Sequence, residues 1–227
     1  MRPLFFLIAS FILVADNAVA QVSFAPEIGI NMCTYMKLSG TKMWNRINNG
    51  IRAGGKADIT LTPHFHLQPG VLYAGNGYNP PIMAGGANKS MKISTIEVPF
   101  QLVYKINTAI ANTPFIGVGP YLGCNISGRA NFSGAITYPY AEPGYARPLK
   151  IGSAVGDDIK QFDAGVSASA GLQLANGLYV LVLYQRGLMN LLPQGDAGNS
   201  LKSFNIGFSA GYYLHSKHKV KTGEVMK

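Results

Sequence analysis

Hydrophobic positions in this chain recur mostly with period two. In residues 92–106, Ile96, Val98, Phe100, Leu102, Tyr104 and Ile106 share one parity, while Glu97, Gln101 and Lys105 share the other. In residues 114–128, Ile116, Val118, Leu122 and Ile126 alternate with Gly117, Gly119, Gly123 and Asn125. Successive side chains on a strand point to opposite faces, so each segment predicts a strand with one apolar face and one polar or glycine-rich face. Residues 161–174 alternate most strictly, from Phe162 and Asp163 to Gln173 and Leu174. The same test predicts strands at about 22–33, 51–62, 65–75, 178–188 and 202–214. The sixth and seventh of the eight strands meet at Asn176-Gly177, a pair that tolerates positive φ and signals a tight hairpin. The seventh is apolar on both parities, so its register is weakly specified. Pro99 and Pro120 fall inside strands and predict local bulges, because proline cannot donate to the ladder.

The connections alternate between long and short. The long ones are 34–50, 76–91, 129–160 and 189–201; the short ones lie at 63–64, 107–113 and 176–177. Even strand number, strands of about ten residues and alternating loop length are the pattern of outer-membrane barrels, with short periplasmic turns and longer external loops. The fold class expected is therefore all-β, an eight-stranded antiparallel up-and-down transmembrane β-barrel. A soluble barrel of lipocalin type is the competing reading. It would have to pack Glu27, Arg52, Lys56, Asp58, Glu97, Lys105 and Asp163 into an apolar core, at high cost. In a polar lumen these groups can pair with one another. An eight-stranded interior is just filled by side chains, so they are expected to form a structural network that plugs the lumen rather than to line a pore.

Composition supports this picture. Charged residues make up only 13% of the chain, and 27 glycines accompany 12 tyrosines and 11 phenylalanines. Residues 1–20 carry Arg2, an apolar run at 4–14 and Ala18-Val19-Ala20, which predicts a cleaved secretory signal peptide. The barrel is expected over 21–214, and a basic periplasmic tail over 215–227. Arg2 and Asp16 cancel, so the formal net charge of +9 survives cleavage. Export argues against nucleic acid as the partner of that charge. Anionic outer-membrane lipid and lipopolysaccharide are the partners expected instead. Cys33 is expected inward and Cys124 outward, on distant strands, so two free thiols are predicted.

Four sequence runs carry a resemblance: STIEVPFQLVYKI, PFIGVGPYLGCNISG, QFDAGVSASAGLQL and LVLYQRGLMNL. In this order they resemble the PorT-like outer-membrane β-barrel family. That family has a hydrophobic-Glu-hydrophobic-Pro run before a GxGPYLG strand, and a late Tyr-x-x-Gly-Leu element matched here by Tyr184, Gly187 and Leu188. The resemblance covers most of residues 22–214. It implies an eight-stranded barrel of OmpX-like architecture. It also implies a role accessory to a protein-secretion machine, with secretion-machinery proteins as partners. Leu183 departs from the pattern, standing where an inward polar or basic residue is common in the family.

Catalysis at an external rim would need a base, usually His. His64 and His66 fall at the first short turn, and His215 and His218 follow the last strand, so no histidine lies in a long loop. No enzymatic activity, cofactor or metal is expected, and the protein is expected to be a monomer. Two loop clusters are candidates for surface binding or adhesion. Lys37, Lys42, Trp44 and Arg46 could grip lipopolysaccharide phosphate, and Tyr138, Tyr140 and Tyr145 could dock a protein.

Overall fold

The computed structural model describes residues 22–39, 41–44, 47–78, 88–106, 112–133 and 146–214. Ten strands are present among them: β1 Val22–Ser39, β2 Thr41–Trp44, β3 Asn48–Thr60, β4 Phe65–Tyr78, β5 Asn88–Lys105, β6 Thr113–Ser133, β7 Ala146–Pro148, β8 Phe162–Gln173, β9 Leu178–Gly187 and β10 Asn199–Tyr212. Eight form a closed antiparallel ring in the order β1-β3-β4-β5-β6-β8-β9-β10, and β10 returns to pair with β1 from Glu27↔Gly211 to Ser39↔Asn199. Closure leaves no open sheet edge in the ring. The two short strands extend it: β2 folds back on the end of β1, and β7 lies against β6.

The faces divide as the alternation predicts. Ile28, Val118 and Leu122 point outward and are more than half exposed, while Glu27, Glu97, Lys105 and Asp163 are buried inside. Inward glycines make room across strands. Gly117 on β6 carries no side chain where Gln101 of β5 reaches over to Ser167 and Ser169 of β8, at 3.1 and 2.9 Å. A Cβ on Gly117 would meet the Ser169 hydroxyl at 2.7 Å.

Several expectations are corrected. The segment 34–50 is not a loop of seventeen residues, because β1 continues to Ser39 and β2 pairs with its end. Likewise β4 runs to Tyr78, β5 starts at Asn88 and β6 continues to Ser133. The reason lies in the inward parity. Tyr35, Met91, Ile93 and Ala130 face the interior and are apolar, so a test that expected polar residues inside ended these strands early. Pro99 and Pro120 cause no register shift. Pro99↔Tyr121 and Leu102↔Val118 keep one register, as does Pro120↔Val166 among its β8 neighbours. Each proline lacks only its own N–H, and the flanking pairs hold the strands in place. The bulge falls elsewhere, at Ile126, between Thr95↔Asn125 and Ser94↔Ser127. The Asn176-Gly177 hairpin has a three-residue loop. Leu174 donates to the Leu178 carbonyl at 2.7 Å, Gly177 donates to the Leu174 carbonyl at 3.0 Å, and Gly177 takes φ 90°. Residues 1–20 and 215–227 lie outside the described residues, and with them the expected signal peptide, His215 and His218.

Candidate functional site

The seven inward charges occupy three separate places in the lumen. In the first, Arg52 of β3 sits between two carboxylates. It pairs with Glu97 of β5 and stands 3.6 Å from Glu27 of β1. Lys56 adds a second cation to Glu27 at 3.3 Å. Tyr179 donates its hydroxyl to Glu27 at 3.0 Å, and Gln185 donates to Glu97 at 3.2 Å. The Lys56 ammonium also lies 4.2 Å from the centre of the Tyr179 ring, a cation–π contact.

The second place is nearer the short-turn end. Lys105 of β5 donates to Asp58 of β3 at 2.7 Å, and Gln68 of β4 donates to the same carboxylate at 2.8 Å. His66 Nδ1 is 3.3 Å from Asp58. Tyr213 closes the group. Its hydroxyl accepts from Gln68 at 3.0 Å, and its ring lies beneath the Lys105 ammonium at 4.8 Å.

Asp163 stands apart, with hydroxyls rather than a cation around it. Ser203 and Tyr121 donate to its Oδ2 at 2.6 and 3.1 Å, while Oδ1 is buried without a hydrogen-bond partner. His66, expected at the first short turn, lies instead on β4 and faces inward with Gln68; the partners Tyr121, Tyr179, Gln185, Ser203 and Tyr213 were not singled out in the sequence. Inward parity on β6 and β10 was a usable signal for Tyr121 and Ser203. Tyr179 and Gln185 lie on β9, whose two faces read alike. Leu183, the departure from the family pattern, also faces inward and is buried against apolar neighbours.

The long-loop end is closed differently. Tyr35, Met91, Ile93, Leu149, Ile159 and Leu201 belong to one buried apolar cluster across that end of the lumen. Residues 149–161 and 188–198 fold over it. Ile151 bridges Ile159, and Lys160 donates its N–H to the Leu191 carbonyl at 2.9 Å. Arg147 grips Asp158 through two hydrogen bonds, at 2.6 and 2.8 Å, and Asp158 also accepts the Lys150 N–H at 2.9 Å. The result is a cap with a dry underside, outside a lumen filled by ion pairs.

The loop candidates divide. Lys37 lies on β1, in register with Met43, and Lys42 and Trp44 lie on β2 opposite Leu38 and Met36. They occupy a strand extension and not a loop. Arg46, Tyr138, Tyr140 and Tyr145 lie outside the described residues. His64 is exposed at the short turn, with Nδ1 3.2 Å from the Lys105 carbonyl. Cys33 is buried inside, Cys124 faces outward, and both are free thiols.

A family model described as "Outer membrane protein beta-barrel domain" matches residues 15–193. No curated protein matches the chain. Among solved structures, the chain is similar to Neisserial surface protein A, at 12% identity and a TM-score of 0.46, over 85% of this chain and 98% of that one. It is also similar to Ail, the attachment invasion locus protein of Yersinia pestis, at 15% identity and a TM-score of 0.44, over 86% and 99%. OprG from Pseudomonas aeruginosa matches at 12% identity and a TM-score of 0.42, over 87% and 97%.

Proposed function

The chain belongs to the outer membrane protein β-barrel domain family and resides in the bacterial outer membrane. On that premise we propose that it is a non-enzymatic, non-conducting barrel that acts through the external end of its fold, as a surface-binding protein. The carrying observation is the cap. A through-channel needs a continuous wet path, and here apolar residues such as Tyr35, Ile93 and Ile159 are buried across one end, while Arg52, Lys56 and Lys105 are paired below. Short turns are periplasmic and long connections external in barrels of this kind, which puts the cap on the cell surface. Its ordered backbone and the Arg147–Asp158 pair offer a preformed binding surface.

A second reading is an accessory role in a protein-secretion machine. It is supported by the likeness of the runs around Glu97 and Pro120 to PorT-like barrels. Within those runs, Glu97 and Tyr121 build the lumen and serve the fold itself.

Deleting the gene separates the two. Under the surface reading, secreted cargo is exported normally and attachment of intact cells to host or matrix surfaces falls. A second strain in which residues 150–158 are replaced by Gly-Ser linker keeps the barrel but reproduces the attachment defect. Cargo retained in the periplasm and released by a complementing copy would overturn the surface reading in favour of secretion.

A further inference from the structure

The outward face of the barrel has its own charge pattern. Its charged residues on the ring strands are basic and lie toward the long-loop end: Lys92 on β5, Arg129 on β6, Arg186 on β9 and Lys202 on β10. The acids of the described ring strands, Glu27, Asp58, Glu97 and Asp163, are buried inside. Lys92 and Arg129 stand directly opposite each other in the β5–β6 ladder, both exposed. Like charges placed opposite one another in a sheet destabilise it. Among the described residues neither has an ion-pair or hydrogen-bond partner that would relieve the repulsion.

The next outward pair toward the middle of the barrel is Ser94↔Ser127. Tyr73 reaches in from β4 and shares a hydrogen bond of 2.9 Å with the Ser94 hydroxyl. These five side chains line one groove on the outer wall. Further along the same face the wall turns apolar, with Ile126, Val98 and Leu122. Two cations, three hydroxyls and an apolar slope below them match an anionic headgroup with acyl chains attached. Phosphate suits the cationic pair, since Lys and Arg both donate to its oxygens and a bound anion cancels their repulsion.

We propose that Lys92 and Arg129, with Ser94, Ser127 and Tyr73, form a seat for a phosphate group of an outer-leaflet lipid. The apolar slope favours an amphiphile over free phosphate. The absence of outward charge at the other end of the described ring strands restricts the seat to one leaflet. This inference rests on the outer-membrane placement and is independent of what the cap binds.

The test uses the full barrel in dodecyl maltoside micelles, alone, with bis-phosphorylated lipid A, with dephosphorylated lipid A, or with inorganic phosphate. Wild type is compared with Lys92→Gln/Arg129→Gln and with Lys92→Glu, which would pair with Arg129. Melting is followed by heat-modifiable gel mobility, and retained lipid by mass spectrometry. Phosphorylated lipid A should raise the wild-type melting midpoint, and the dephosphorylated form should not. Both variants should lose that rise, with lipid A retention roughly thirtyfold weaker in the double variant. Without lipid A, both variants should melt at or above wild type, because the repulsion is gone. Equal responses of wild type and variants would overturn the proposal. So would variants that melt lower in plain micelles, which would mean a structural role, or a full wild-type rise with inorganic phosphate alone, which would mean a free-anion site. None of these outcomes bears on the attachment phenotype.

Discussion

Lys105 reaches across an entire strand to donate to Asp58 at 2.7 Å, joining β5 to β3 over the β4 that separates them. Both side chains are buried, so this contact acts inside the wall of the ring. Removing one partner strands the other charge. Lys105→Met is expected to lower unfolding stability by about 3 kcal/mol, somewhat softened by the remaining donors His66 and Gln68. The double variant Lys105→Met/Asp58→Leu is expected to be more stable than the single one. Urea unfolding in detergent micelles measures both. A double variant weaker than the single would refute the pairing account.

Arg52 and Asp163 make a contrasting pair of substitutions. Arg52 serves two buried carboxylates, and Glu97 has Gln185 as its other donor. Arg52→Gln should cost about 3–5 kcal/mol or prevent refolding. Asp163 is held by the Tyr121 and Ser203 hydroxyls without a cation, so Asp163→Asn should cost no more than about 1 kcal/mol. Refolding yield and urea midpoints read the difference. Equal losses at the two sites would contradict the division of the lumen into paired and hydroxyl-held carboxylates.

The cap should open without the barrel opening. Arg147→Ala removes a bidentate, partly exposed grip on Asp158. Proteinase K added to intact cells should then cut within residues 149–161 roughly fivefold faster, the effect of about 1 kcal/mol of local stability. The heat-modifiable mobility of the barrel should stay unchanged. Cleavage at the wild-type rate would show that the cap is held by the apolar contacts beneath it, not by the ion pair.

The two thiols lie on opposite faces of the wall, Cys33 inward and Cys124 outward. No mobility difference is expected between reduced and non-reduced samples. A maleimide should leave Cys33 unmodified until the barrel unfolds. Labelling of Cys33 in the folded protein would mean that the lumen is open to reagents of that size.

The eight ring strands, their antiparallel order, the outward and inward parities and the seven lumen charges were legible in the residues, while the short strands β2 and β7 were not. The reason is physical: a wall with lipid on one side and a polar interior on the other imposes period two on every strand, and each strand can be read locally. Three features were not local. Whether Tyr35, Ile93, Ala130, Leu201, Ile159 and Leu191 meet depends on four strands and two connections arriving at one end, so the apolar seal had no signature in any single segment. Which carboxylate each cation serves depends on ring register and on reach across strands. Arg52 and Glu97, 45 positions apart in the chain, meet because β4 places only small or apolar inward side chains, Ala74 and Leu72, beside them. The bulge at Ile126 was likewise set by pairing, since the prolines that seemed to demand a bulge lose one donor each and keep their register. Periodicity along a chain reports which side of a wall a residue faces. Closure of the ring decides which residues meet once they are inside, because that is a property of all eight strands together.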